Sequence, residues 1–174
     1  GSPMKVGVGI ADVMCGMYAA VSILAAILHR DQSGNSGADG NGQHIDLALL
    51  DSQAAWLINS GSNYLTSGQD QHRLGNAHPN IVPYQVFQTT DSYFVLAVGN
   101  DIQFRKLCEL AGVPELPEDS RFKTNSDRVR NRDVLTPMIN ELTLGNSTQH
   151  WLEGLEKLQV PCGPVNTVKD VFDD

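Results

Sequence analysis

A surplus of positive charge is missing from this chain. Twelve Lys and Arg stand against twenty Asp and Glu, a net charge of −8. Phosphate backbones and anionic headgroups are bound by excess cations, so this balance argues against nucleic-acid and anionic-membrane surfaces. Cysteine is scarce too. Cys15, Cys108 and Cys162 are odd in number and form no CxxC pair, which argues against a disulfide framework or a dithiol metal site. Free thiols suit a reducing compartment, and the expected location is cytoplasmic. No secretory signal is expected, because no basic region precedes a cleavage site. Internal repeats are absent, and the polar loop at 33–42 is the only low-complexity stretch. A second long hydrophobic run is lacking as well. The single run, residues 10–28, is long enough to suggest a membrane span. Its Ala and Gly content, its Asp12 and the lack of a second span favour a buried core helix and no membrane.

The chain offers α+β signals. Residues 12–30 are predicted helical, with Asp12 as an N-cap residue and His29 and Arg30 suited to the C-terminal dipole. A short extended entry at His44–Leu47 leads to a second helix through about Leu65, carried by Leu49, Leu50, Ala54, Leu57 and Ile58. Gly68, Gly75 and Pro79 mark residues 66–80 as loop. Two runs rich in β-branched and aromatic residues, 81–91 and 93–98, surround the turn Thr89-Thr90-Asp91-Ser92 and predict a hairpin. Helices are predicted over about 102–111, closed by Gly112, over 126–141 and over 148–158. Val160–Val165 reads as extended and turn-rich, and 168–172 as a helical first turn. Gly1-Ser2-Pro3 is set aside from fold reasoning. The expected organisation has two parts. Residues 1–65 supply long buried helices of a large domain, and residues 66–174 form a small domain with an antiparallel hairpin or sheet covered by helices.

Four stretches together resemble a known family, the CaiB/BaiF-like class III CoA-transferases. They are Ile10–Ala19, Gly42–Asp51, Arg73–Tyr84 and Val160–Asn166, and in order and spacing they cover nearly the whole chain. The family includes formyl-CoA and carnitine CoA-transferases and the related α-methylacyl-CoA racemases. The resemblance implies an internal piece of an enzyme about twice this length, with the Rossmann-like sheet and most coenzyme A contacts elsewhere. It also implies a homodimer that acts on an acyl-CoA and a free carboxylic acid.

In the transferases of that family the aspartate matching Asp12 is the nucleophile. It attacks the acyl-CoA thioester to give a mixed anhydride, which the released thiolate converts to an aspartyl-CoA thioester. Covalent catalysis of this kind divides one difficult exchange into easier ones. In the racemase branch the matching aspartate serves as an acid/base at the α-carbon. A third possibility is an inactive module that only self-associates. From the residues alone, Asp12 is first a helix cap; capping and reacting are compatible. His78, Gly75, Asn76 and Tyr84 are the substrate-binding candidates, His78 by analogy with the family's small-domain loop. Their plainer roles are a loop histidine bonded to backbone, turn-shaping residues and a core aromatic in a strand. Arg73 reads as a surface residue. Arg128, Arg130 and Arg132, interrupted by Asp127 and Asp133, read as a solvated helix face. His44, Asp46 and Asp51 have no supporting motif, and no metal is expected.

Overall fold

A computed structural model describes residues 4–32 and 42–174. Gly1-Ser2-Pro3 and the polar loop, apart from Gly42, lie outside the described residues. Two units are distinguished, Gly1–Gln71 and His72–Asp174. Among the described residues the class is mixed, with eight α-helices and one three-stranded antiparallel sheet.

The first unit holds α1 (Ile10–Gln32), α2 (Leu49–Ala55) and α3 (Ile58–Ser67). Ala and Leu throughout α1 supply helix propensity, and α2 packs against it. Half-buried Ala11, Cys15, Ala19, Ser22 and Ala26 recur at spacings of three and four, one stripe of a helix. The opposite stripe, Val13, Met17, Val21, Leu24 and Leu28, is exposed, and no residue of α1 is fully buried within the unit. By length and composition α1 is apolar enough to cross a membrane. The second expected helix is interrupted at Trp56-Leu57, where Ile58 has a φ of +39°. A β-branched residue is strained there. His44–Leu47, expected to be extended, pairs with no strand.

The second unit contains β1 (Tyr84–Gln88), β2 (Tyr93–Ala97) and β3 (Cys162–Pro164), in the order β1-β2-β3. The hairpin pairs Phe87 with Phe94 and Val86 with Val95. Its alternation places Phe87, Phe94 and Leu96 inward, as period-two patterning requires. The third strand falls in the segment expected only to be extended; Leu96 pairs with Cys162 and Val95 with Gly163. A three-residue edge strand has too short a pattern to declare itself.

Helices α4 (Asp101–Leu110), α5 (Asn125–Arg130), α6 (Arg132–Thr143), α7 (Thr148–Lys157) and α8 (Val168–Asp173) complete the unit. Phe94, Phe104, Leu107, Leu135, Ile139, Trp151 and Leu155 form its core. Phe94 and Trp151 stack at 6.3 Å, and the Trp151 indole N–H donates to the Thr143 carbonyl at 2.9 Å. Gly112, in the left-handed region at φ +75°, closes α4 with bonds from Gly112 N to Glu109 O and from Val113 N to Cys108 O. This is the paired-bond helix stop that glycine favours. The helix expected over 126–141 is two helices. Asn131 leaves helical geometry between them, and Thr124 caps the first, through a capping box with Asp127.

Candidate functional site

The Asp12 carboxylate lies in the first turn of α1, exposed to solvent. It is not the N-cap. The Val13 N–H bonds to the Gly9 carbonyl at 3.1 Å, so the helix starts one turn earlier than the cap reading required. The side chain folds back over Gly9, with Oδ2 3.0 Å from where a Gly9 Cβ would stand. A carboxylate here lies beside the unpaired N–H groups of the first turn, whose partial positive charge favours the anion.

His78, Gly75, Asn76 and Tyr84 come together in the second unit. Gly75 takes φ +62°, and the Ala77 N–H closes the turn onto the Leu74 carbonyl at 3.0 Å. An L side chain is disfavoured at that φ, which is what glycine supplies. The Asn76 Oδ1 accepts from Val86 N at 2.9 Å, extending β1 with a side-chain partner. The His78 N–H donates to the Tyr84 carbonyl at 2.9 Å, and the two rings stack at 5.1 Å with 19° between planes. The His78 Nδ1 accepts from Asn80 N at 3.1 Å. A neutral ring with Nδ1 accepting carries its proton on Nε2. Tyr84 is therefore a partly exposed stacking partner on β1 rather than a core aromatic. Asp12 belongs to the other unit, and its surroundings are those of α1.

The arginines of α5 and α6 require a correction. Arg128, expected on a solvated face, is fully buried. Its Nε donates to Val82 O at 2.8 Å, Nη1 to Phe122 O at 3.0 Å and Nη2 to Asp101 Oδ1 at 2.8 Å. The guanidinium carbon lies 4.4 Å from the Phe104 ring centroid. A buried cation persists only when its donors are matched this fully. Arg132 is half-buried and its Nη2 donates to Pro79 O at 2.6 Å and His78 O at 3.3 Å. Only Arg130 fits the solvated reading, paired with Asp127. Asn125 adds a bond from its Nδ2 to Asn80 O at 2.9 Å and accepts from Val82 N at 3.2 Å. The arginines lie 46 to 54 residues from the loop they hold, so local charge patterning carried no sign of it.

The thiols of this unit are not primed nucleophiles. Burial pushes the Cys108 thiol up to about 12, despite the opposing effect of Arg128. Burial, with Glu156 adding, also raises Cys162. A thiol held neutral is a poor nucleophile. Cys162, Leu152, Glu156 and Pro164 border an open groove of about 500 Å³. His44, Asp46 and Asp51 gather no further donor: among the described residues no group of three His, Cys, Asp or Glu is placed to hold a metal.

Residues 1–174 match CoA-transferase family III throughout, and the chain belongs to that family. It is 45% identical over 174 residues to succinate–glutarate CoA-transferase of Agrobacterium fabrum, covering all of this chain and 42% of that protein. It is 39% identical over 172 residues to succinyl-CoA:glutarate CoA-transferase of Homo sapiens, covering 99% of this chain and 38% of that protein. The chain thus spans less than half the length of these relatives. A solved CaiB/BaiF family protein from Brucella suis superposes with a TM-score of 0.71 at 46% identity, over all of this chain and 44% of that one. Rv3272 from Mycobacterium tuberculosis superposes with a TM-score of 0.81 at 25% identity, over 100% and 44%.

Proposed function

We propose that this chain supplies the nucleophile and the small domain of a CoA-transferase moving coenzyme A from an acyl-CoA to a carboxylic acid. The observation that carries this is the family match over the whole chain, with the Asp12 carboxylate exposed in the first turn of α1. The relatives named for succinate and glutarate favour dicarboxylates as the exchanged acids. Their names also favour transfer over α-proton exchange. Because they are more than twice as long, the reaction is assigned to a longer polypeptide that includes these residues. Within it, residues 1–65 belong to the large domain and the exposed stripe of α1 is covered by protein, in a cytoplasmic homodimer. Apolar area of that extent is costly to leave in water.

In the proposed reaction the Asp12 carboxylate attacks the thioester carbonyl. The C–S bond breaks, CoA leaves as thiolate, and a mixed anhydride remains. The thiolate then attacks the aspartyl carbonyl, releasing the donor carboxylate and leaving an aspartyl-CoA thioester. The acceptor carboxylate attacks this thioester, again releasing thiolate. Attack of the thiolate on the acceptor's acyl carbon gives the new acyl-CoA and restores Asp12. Net charge is conserved and no proton need move: the Asp12, donor and acceptor carboxylates and one thiolate suffice. First-turn N–H groups stabilise charge on the aspartyl oxygens, and His78, Gly75, Asn76 and Tyr84 are assigned to substrate binding.

The test is Asp12→Ala and Asp12→Asn in the enzyme containing this chain. Transfer should fall by about 10³-fold or more, and the covalent CoA adduct seen by intact mass with acyl-CoA should vanish. Transfer retained by either variant sinks the assignment. Solvent deuterium uptake at the α-carbon without an acceptor would move the protein to the racemase branch.

A further inference from the structure

We propose that Arg132 and Asn125 are positioning residues for His78, clamping its loop so that the neutral imidazole keeps its proton on Nε2. The kinetic part of the test rests on the function proposed above. The clamp and the tautomer rest on geometry alone.

Residues 78–83 form neither helix nor strand, so their backbone groups need partners from elsewhere. Most of those partners come from α5 and the start of α6. Arg132 takes the carbonyls of His78 and Pro79, Asn125 takes the Asn80 carbonyl and the Val82 N–H, and Arg128 takes the Val82 carbonyl. A connecting loop is ordinarily solvated and mobile. This one is fixed nearly residue by residue, on both sides of Asn80.

The consequence falls on the ring. The Asn80 N–H is the donor to His78 Nδ1 at 3.1 Å. Its direction depends on the peptide planes that Arg132 and Asn125 hold at residues 79 and 80. Tyr84 fixes the other coordinates, through its carbonyl to His78 N and through the stacked ring. With Nδ1 committed as acceptor, the proton of the neutral imidazole sits on Nε2. An N–H placed in advance of the reaction stabilises developing oxygen charge without reorganisation. Arg132 and Asn125 touch no reacting atom; they act through His78.

The experiment is ring-nitrogen NMR on the 174-residue chain with the imidazole neutral. The unaltered chain should show His78 protonated on Nε2 and unprotonated on Nδ1, with well-separated nitrogen shifts. Arg132→Gln and Asn125→Ala should draw the two shifts together as tautomers mix. Arg130→Gln, which removes a neighbouring exposed cation without touching the loop, should leave them unchanged. Arg132 is half-buried at a helix start, so its variant reports even if Asn125→Ala lowers stability. In the enzyme containing this chain, Arg132→Gln should reduce kcat/KM about tenfold, Arg132→Lys should recover part of that, and neither should act further in a His78→Ala background. An Nδ1–H tautomer in the unaltered chain, unmoved shifts in both variants, or additive losses with His78→Ala would overturn the proposal. The ring signals need no substrate, so their failure is distinguishable from failure of the transferase reading.

Discussion

Replacing Arg128 by Met should destabilise the second unit more than any single surface change. The side chains are similar in length, so the cavity cost is small and the change isolates the guanidinium. Val82 and Phe122 are buried, and each would lose the donor to its carbonyl. An unsatisfied buried acceptor costs about 1–3 kcal/mol. Asp101 is 44% exposed and would turn to water, so losing that ion pair costs only about 0–1 kcal/mol. The cation over Phe104 contributes about 1–2 kcal/mol, offset by about 0.5–1 kcal/mol from a Met sulfur in its place. The sum is about 2–8 kcal/mol, a large share of the ~5–15 kcal/mol typical of a domain. Urea unfolding followed by Trp151 fluorescence measures it, in a Trp56→Phe background so that one indole reports. Arg128→Lys should fall between, because a single ammonium cannot reach three acceptors in a planar fork. A loss below about 1 kcal/mol for Arg128→Met would refute the claim that these bonds hold the loop and core together.

Two further outcomes are expected. Gln159 closes α7 at φ +57°, with Gln159 N bonded to Glu156 O and Val160 N to Leu155 O, the same stop that Gly112 makes for α4. Glycine relieves that strain, so Gln159→Gly should stabilise the unit by about 0.5–1 kcal/mol, read as a higher urea midpoint; a lower midpoint contradicts this. Asp91 is held below the usual carboxylate range, chiefly by the Thr148 N–H, then by the Thr148 and Thr89 hydroxyls. A depressed carboxyl contributes stability that is present above its unfolded value of about 4 and is lost as pH falls through the folded value. Asp91→Asn should therefore flatten the decline of stability between about pH 4 and the folded value, measured as urea midpoints across that range. Asp119, Asp127 and Asp170 are lowered too, so the slope should shrink rather than vanish. An unchanged slope contradicts the assignment.

Much of this protein is determined locally, and the sequence by itself decided those parts. The Ala-rich run makes α1 helical wherever it is placed, and two alternating runs around a polar turn make a hairpin. Gly112 stops a helix because left-handed backbone suits glycine. The family was legible from four stretches, and Asp12, His78, Gly75, Asn76 and Tyr84 were nameable from them. Tertiary structure alone decided the rest. It placed the start of α1 at Ile10, which made Asp12 a first-turn residue instead of a cap. It broke the helix expected over 126–141 at Asn131, and it drew Cys162–Pro164 into the sheet beside β2. Above all it buried Arg128 and turned Arg132 and Asn125 onto the His78 loop. A charged residue is written the same way whether it meets water or a row of carbonyls. Which one it meets depends on partners some fifty residues away, and only the folded chain brings those together.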